Sequence, residues 1–193
     1  MRRLDHIVIA CEDLDRDAAI LGDLLGHPLD PGGRHPLMGT HNRLLNLGGL
    51  EYLELIAIDP AAPRPGRPRW YGLDRFQGPP RIVGWIARDD SFVAPPRTTV
   101  IEMSRGNLQW QFTLPDDGEM PGHGTQPLLI RWAGGVHPCH SLPNHGFRLL
   151  ALQMATPEPQ PLRRISDPRI TLGFGPTEIR AQLQTPSGDT VWL

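Results

Sequence analysis

Two side chains near the start of the chain could carry acid–base or metal chemistry, namely His6 and Glu54. His6 stands in the apolar run 4–10 (LDHIVIA), and Glu54 stands in the middle of 51–58 (EYLELIAI). Burying a carboxylate among apolar side chains costs free energy unless it reaches solvent, pairs with a cation or binds a metal. An imidazole and a carboxylate on neighbouring strands suit Zn, Mn, Fe or Co. We therefore interpret the two residues as half of a metal site, or Glu54 as a base; the alternative is a solvated polar face.

Residues 32–42 (GGRHPLMGTHN) combine three glycines with four hydrogen-bonding side chains. Glycine permits close backbone approach, and guanidinium, imidazole and amide groups bind anionic or carbonyl-bearing ligands. We predict a ligand-binding loop whose polar members are Arg34, His35, His41 and Asn42. His41 is also the best third metal ligand and a second catalytic candidate, because it begins the strand expected beside Glu54. The alternative is a loop whose polar groups bond one another.

A second polar stretch, 137–140 (HPCH), does not have the spacing of a common zinc site, so we interpret it as mainly structural. His137 remains a candidate for ligand binding or for completing a metal shell. Three tryptophans, Trp85, Trp110 and Trp132, are predicted to line an apolar binding site. A nucleophile elbow of the Gly-x-Ser-x-Gly type is missing, which disfavours a hydrolase triad.

The composition excludes several classes of function. All 19 basic side chains are arginine, so Schiff-base chemistry and phosphate-binding loops of the Gly-Lys-Ser/Thr type have no lysine to use. A formal net charge of −2 argues against nucleic acid as a partner. Cys11 and Cys139 form no Cys-x-x-Cys pair, which fits a reducing, cytoplasmic location. No stretch approaches the roughly 20 apolar residues of a membrane helix, so we expect a soluble protein.

The surrounding pattern predicts the elements that must position these side chains. Residues 4–10 predict a buried strand, and a helix follows from the N-cap Asp13 to Gly26. Residues 40–47 and 51–58 then predict two strands joined by a glycine turn. This first unit is therefore strand, helix, strand, strand.

Two further units follow along the chain. Residues 82–90 align loosely with 6–13, which indicates an internal repeat. The repeat continues with strands at 107–114 and 127–132, and the last unit ends in a hairpin around 185–189. The approximate modules are 1–59, 80–133 and 147–193, within a single domain of residues 1–193.

These motifs resemble the glyoxalase-like domain family of the vicinal-oxygen-chelate superfamily, which includes glyoxalase I, extradiol dioxygenases and bleomycin-resistance proteins. The resemblance is strongest over residues 4–60 and continues in 127–132, 137–138 and 185–189. It implies an α+β fold in which repeated βαββ modules form a curved mixed sheet, a cup with helices on its outer face.

The resemblance also implies that His6 and Glu54 are metal ligands and that two more ligands come from a later module. The repeat places Val83 opposite His6, and Trp192 stands near the expected position of the last glutamate. The second pair of ligands is therefore missing.

The resemblance leaves two functions open. The first is a small-molecule enzyme of the lyase, isomerase or dioxygenase type that uses a divalent metal in the cup. The second is a non-catalytic protein that binds or sequesters a small molecule without metal. We also expect a homodimer, because members of this superfamily often pair modules across a dimer.

Overall fold

The computed structural model describes residues 1–91 and 93–193. The strands and the helix, in chain order, are β1 Arg3–Ala10, α1 Leu14–Leu25, β2 Asp30–His35, β3 Thr40–Asn46, β4 Tyr52–Ile58, β5 Arg81–Arg88, β6 Thr98–Arg105, β7 Leu108–Pro115, β8 Leu128–Trp132, β9 Arg148–Thr156, β10 Ile170–Phe174, β11 Glu178–Gln184 and β12 Thr190–Trp192. Short 3-10 segments lie at Trp70–Arg75, Pro121–Gly124 and Pro138–His140.

The first eight strands form one strongly curled mixed sheet in the order β2-β3-β4-β1-β5-β8-β7-β6. We call β1–β4 the first half and β5–β8 the second half. The two halves share one strand order: β1 is parallel to β4 and β5 is parallel to β8, while β1 and β5 join the halves in antiparallel pairing. The predicted curved mixed sheet of the glyoxalase-like fold is therefore confirmed.

Helix α1 covers the outer, convex face of the first half. Asp13 caps it by accepting hydrogen bonds from the backbone N–H groups of Asp15 and Arg16, and Gly26 ends it with φ 67°. The buried stripe of α1 packs on outward-facing residues of β1, β3 and β4. Among the described residues, no helix is both long enough and apolar enough to span a membrane.

The outer face of the second half is covered by a second sheet, with the order β10-β9-β11-β12, instead of a helix. Trp85 and Leu129 of the second half join Phe147, Leu152 and Leu183 of this sheet region in one buried core. Across residues 1–91 and 93–193, α1 is the only α-helix, so the expected helix of the second module is replaced by strands.

The inner, concave face of the sheet is largely filled by the chain's own side chains. Trp70 and Tyr71, which stack with their ring centroids 5.1 Å apart, enter the curl from the connector after β4. They meet Phe112 of β7 edge to face. The concave side is therefore a second hydrophobic core that encloses a small space, rather than an open cup.

The glycine-rich stretch predicted as a loop is mostly strand. Residues 30–35 form β2, and residue 40 already begins β3, so only 36–39 turn. Gly32 is required because a Cβ there would lie 2.1 Å from Asn42 Oδ1. The close approach expected of these glycines is thus an approach to the neighbouring strand.

Candidate functional site

Strand pairing brings His6 and Glu54 onto the inner face of the first half. In the parallel pairing of β1 with β4, Val8 lies opposite Glu54 and His6 lies opposite Tyr52. Both charged residues are buried, and His6 Nε2 lies 3.5 Å from Glu54 Oε2. The His6 ring also stacks on Tyr52, with centroids 4.5 Å apart. The two side chains can therefore act on the same small volume.

A β-bulge in β1 adds a third charged group beside this pair. The register between β1 and β5 shifts between Leu4 and His6, so Asp5 is the extra residue. Leu4 and Ile7 consequently both join the outer core, although strict alternation would put them on opposite faces. Asp5 turns toward His6, and its Oδ1 lies 2.7 Å from His6 Nδ1.

Asp5 is fully buried and, besides His6, contacts three groups from distant parts of the chain. Its Oδ2 accepts a hydrogen bond from Trp132 Nε1 at 2.9 Å and lies 3.2 Å from His137 Nε2. Arg88 Nε lies 3.3 Å from the same oxygen in an ion pair. Burial raises the pKa of Asp5, but hydrogen bonds from His137 and His6 outweigh it and hold that pKa well below the usual range. Asp5 is therefore an anion that orients His6.

His6 and Glu54 are both charged at neutral pH. Burial lowers the pKa of His6, but Asp5 and Glu54 more than offset burial and raise it to about 9. Burial raises the pKa of Glu54, but His6 and the hydrogen bond from Asn42 outweigh it and lower that pKa. Asn42 Nδ2 donates to Glu54 Oε1 at 2.5 Å, whereas the buried Oε2 has no hydrogen-bond partner in the described residues. The Oε2 of Glu54 thus has only the longer ion-pair contact with His6 Nε2 at 3.5 Å.

Beyond Asn42, the polar chain continues to the edge of the sheet. Burial lowers the pKa of His35 to about 4, so its ring is neutral. Arg105 Nη1 lies 3.2 Å from His35 Nε2 and donates to Asn42 Oδ1 at 3.3 Å. The His35 Nδ1 lies 3.1 Å from Thr40 Oγ1. A neutral ring satisfies both contacts by accepting at Nε2 and donating at Nδ1.

A cavity of about 30 Å³ lies between these groups, with room for about one water molecule. Its walls are His6, His35, Asn42, Leu44, Tyr52, Glu54, Trp70, Tyr71, Arg105, Trp110, Phe112, Ile130 and Trp132. The Nε1 of Trp70, one of these walls, is buried without a hydrogen-bond partner in the described part of the chain. The cavity therefore combines an aromatic wall with two unsatisfied polar atoms, one acceptor and one donor.

His41 does not join His6 and Glu54, so that part of the sequence prediction is wrong. On β3, Asn42 and Leu44 face the cavity, so the alternation of the strand directs His41 to the other side. Arg43, which shares that outer side, bonds to Asp15 of α1 at 2.7 Å. Asn42 occupies the position beside Glu54 that we predicted for His41.

Of the three tryptophans predicted to line a binding site, two lie at the cavity and one does not. Trp110 and Trp132 line the cavity, but Trp85 does not, which corrects the prediction for this residue. Trp85 lies opposite Ile7 and shares the outer core, where its Nε1 donates to the carbonyl of Thr125.

Arg34 and His137 lie beside the site rather than in it. The Arg34 guanidinium is mostly exposed and pairs with Asp59 at 2.6 Å. His137 lies behind Asp5 and meets Tyr52 edge to face, with centroids 5.9 Å apart. His35 and Asn42 are the members of the predicted polar cluster that line the cavity.

Sequence reasoning missed Asp5, Arg105 and the pair Trp70 and Tyr71. Asp5 is assigned to the outer face by simple alternation, and only the bulge turns it toward His6. Arg105 ends a strand far along the chain, and nothing local indicates that β6 comes into contact with β2. The one available signal was the charge of Asp5 inside an apolar strand, which requires a partner.

The residue set offers only half of a metal site. Within residues 1–91 and 93–193, no group of three or more His, Cys, Asp and Glu side chains could hold a metal ion. His6 Nε2 and Glu54 Oε2 would be the two ligands, and the Asp5 contact at His6 Nδ1 resembles the outer-shell bond of many metal-binding histidines. However, a protonated ring carries hydrogens on both nitrogens and cannot ligate a metal. In the metal-free site Asp5 and Glu54 keep a proton on His6, which a metal would have to displace.

A solved structure with a TM-score above 0.5 supports the same fold. A hypothetical protein from Staphylococcus aureus is 16% identical, with a TM-score of 0.52 over 81% of this chain and 70% of that chain. A structure of methylmalonyl-CoA epimerase from Mycobacterium tuberculosis is 21% identical, with a TM-score of 0.42 over 67% of this chain and 85% of that chain. No protein with a curated description matches the sequence. The sequence model of the glyoxalase-like domain matches residues 4–168, from β1 to just before β10, and the chain therefore belongs to the glyoxalase-like domain family.

Proposed function

We propose that the chain is a small-molecule enzyme of the lyase or isomerase type in which Glu54 transfers a proton and His6 is its charged partner. One observation carries the proposal: Glu54 lines the cavity, and its buried Oε2 has only the long ion-pair contact with His6 Nε2 at 3.5 Å, with no close hydrogen bond among the described residues. A buried carboxylate oxygen that is held only by such a long contact favours a role with a bound molecule.

The proton transfer is written for a substrate with a C–H bond next to a carbonyl group. The C–H bond breaks, its proton passes to Glu54 Oε2, and its electron pair moves into the carbonyl to form an enolate. His6, as an imidazolium held by Asp5, stabilises the negative charge on that oxygen. Return of the proton to a different position or face gives an isomer, and loss of a leaving group from the enolate gives the lyase outcome.

The charge state of Glu54 limits the substrates it can use. Its lowered pKa keeps it ionised at neutral pH and weakens it as a base, because base strength follows pKa. A proton next to a carbonyl is already acidified and suits such a base. A dioxygenase reaction is less well supported, because mononuclear non-haem iron enzymes commonly use three protein ligands and this site offers two.

A binding protein without catalysis is the second candidate. The aromatic walls of the cavity favour it, because ligand sites are lined mainly by apolar and aromatic side chains. The two candidates differ in what they require of Glu54. Catalysis needs its free oxygen, whereas sequestration needs only the shape of the cavity.

Exchange of substrate protons with deuterium separates the candidates. Pyruvate, 2-oxobutyrate and their methyl esters would be incubated with the protein in D₂O, and loss of the proton signals next to the carbonyl would be followed by NMR. Glu54→Gln keeps the shape of the side chain and should slow the exchange catalysed by the wild type by at least about 100-fold. Glu158→Gln, at an exposed position, is the matched control and should exchange as the wild type does.

Two results would reject the enzyme proposal. The first is exchange that proceeds equally fast in Glu54→Gln with its fold intact by circular dichroism. The second is binding of these compounds with no exchange above the uncatalysed rate, which would favour the binding protein. The expected homodimer stays a prediction, which sedimentation of the purified protein would check.

A further inference from the structure

Arg105 closes the cavity across the open side of the curled sheet. It ends β6, one edge strand, and β6 comes into contact with β2, the other edge strand. Its guanidinium reaches His35 at the end of β2 and Asn42 on β3. Arg105 and Trp132 are the two partly exposed residues among the cavity walls, and the rest are buried. A molecule that enters from solvent between these edges therefore meets Arg105 first.

The charges around the cavity leave Arg105 without an anionic partner. Asp5 faces His6 and Arg88, and Glu54 faces His6, so these two carboxylates and two cations balance. The side-chain contacts of Arg105 are to a neutral imidazole and a neutral amide, and among the described residues it forms no ion pair. A partly exposed guanidinium without an ion pair is free to bind an anion that arrives from solvent.

A glycine makes room for this arginine. A Cβ on Gly33 would lie 2.7 Å from Arg105 Cδ and 3.1 Å from its Nε, so any larger residue would push the side chain away. The φ of Gly33 is not in the left-handed region, so its backbone does not require glycine. Close approach of Arg105 is the remaining local reason for glycine at this position.

We propose that Arg105, at the partly exposed rim of the cavity, binds the carboxylate of the substrate, so that the substrate class is small carbonyl compounds that carry a carboxylate, such as 2-oxo acids. Because the cavity holds about one water molecule, the carboxylate stays at this rim and the carbonyl end points inward. The proposal rests on the proposed function of Glu54, because it assigns the other end of the same molecule. A guanidinium binds a carboxylate through two parallel hydrogen bonds. Asn42 alone separates the Arg105 and Glu54 contacts, so a carboxylate at Arg105 directs the adjacent carbonyl region toward Glu54.

Binding measurements on acids and their esters test this assignment. Pyruvate, 2-oxobutyrate and the two methyl esters would be titrated into wild type, Arg105→Gln, Gly33→Ala and Glu54→Gln by calorimetry. Arg105→Gln should weaken binding of the acids roughly 10- to 100-fold and leave the esters unchanged. Gly33→Ala keeps the arginine but displaces it, so it should have the same selective effect. Arg163→Gln, an exposed arginine, is the control.

Three results would overturn the assignment: no acid binds the wild type at millimolar concentration, the wild type binds acids and esters alike, or Arg105→Gln and Gly33→Ala bind the acids as the wild type does. Failure of the two proposals can be told apart. Acids that bind through Arg105 without Glu54-dependent exchange would leave the anion site standing and reject the base. Glu54-dependent exchange with no preference for acids would leave Glu54 as the base and reject Arg105 as the anion site.

Discussion

The two halves of the eight-stranded sheet have the same strand order and opposite chemistry. On the inner face of the first half, Val8 of β1 lies opposite Glu54 of β4. At the matching place in the second half, Ile86 of β5 lies opposite Leu128 of β8. A buried carboxylate in one half thus corresponds to a buried leucine in the other. The fold tolerates either, which shows that the polar site is carried by local partners and not by the topology.

Each half satisfies its inner face in its own way. In the first half, Asn42 and His6 neutralise and hydrogen-bond Glu54. In the second half, Gly84 lacks a side chain and Met120 fills the space, with its Cε 2.2 Å from where a Cβ would lie. A flexible methionine packs such gaps without needing a hydrogen bond. His6 and Glu54 therefore have no counterparts in the second half, because the first half places charged groups on the inner face and the second half places packed apolar side chains there.

A carboxylate introduced into the inner face of the second half should have the largest effect on stability. Leu128→Glu places it in the buried hydrophobic cluster of the inner face, opposite Ile86. A buried glutamate without a partner has its pKa raised to about 8 or 9, which costs about 4 kcal/mol at neutral pH. We expect at least that loss in the free energy of unfolding, measured with urea. Leu128→Met is the control and should cost less than about 1.5 kcal/mol. A small effect of Leu128→Glu would mean that the second half can also host a charge.

Removing the charge of Asp5 should have the next largest effect. Asp5→Asn leaves His6 and Arg88 without their shared anion, in a place where both are largely shielded from water. Breaking a buried ion pair on one side costs about 3 kcal/mol or more. Asp90→Asn, at an exposed aspartate, is the control for urea unfolding. If Asp5→Asn unfolds at the same urea concentration as the wild type, the first half does not depend on charge compensation.

Much of this architecture could be predicted from the sequence, because periodicity determines which residues share a face. The run 4–10, the cap at Asp13 and the glycine at Gly26 behave as their residue types indicate. His6 and Glu54 could be identified because an ionisable side chain in an apolar strand needs a partner. These features depend only on neighbours in the chain.

The rest of the site depends on irregularity and on long-range contact. The bulge at Asp5 reverses the face that alternation assigns to it, and one residue of register decides whether His41 or Asn42 meets Glu54. Arg105 reaches the cavity only because the sheet curls until its two edges touch. Neither the degree of curl nor the position of a bulge is encoded in hydrophobic periodicity.

The dependence of stability on pH should come mainly from the first half, because the histidines that line the cavity, His6 and His35, belong to it. The folded protein keeps the proton of His6 up to about pH 9, whereas the unfolded chain loses it near 6.5, so the contribution of His6 is complete below 6.5 and is lost as pH rises through 9. His35 has the opposite sign. Its folded pKa of about 4 means that the unfolded chain binds more protons between 4 and 6.5, so stability rises with pH in that window.

Stability should therefore peak between about pH 6 and 7. Urea unfolding from pH 4.5 to 9.5 would measure the profile. His6→Gln should flatten the alkaline decline, and His35→Gln should weaken the acid rise, while His123→Gln, at an exposed position, should change neither. An alkaline decline of full size in His6→Gln would show that His6 is not the charged group of the pair.

Divalent metal should have the smallest effect on stability, because His6 is protonated beside Glu54. A metal at His6 Nε2 and Glu54 Oε2 has two protein ligands and must first displace the proton of His6, whose pKa is about 9. Competition with that proton lowers the apparent affinity about 50-fold at pH 7 relative to pH 9. A ligand near its dissociation constant adds only about 0.4 kcal/mol to stability, which corresponds to about 1–2 °C in melting temperature. We therefore expect millimolar Mn or Co to raise the melting temperature by no more than this at pH 7 and by more at pH 8.5, with His6→Ala and Glu54→Ala abolishing the rise and His123→Ala retaining it. A rise of about 10 °C with micromolar Zn at pH 7, lost in both site variants, would instead make a metal rather than a proton the partner of Glu54. The site in the first half would then be a metal centre whose other ligands are groups other than His, Cys, Asp and Glu.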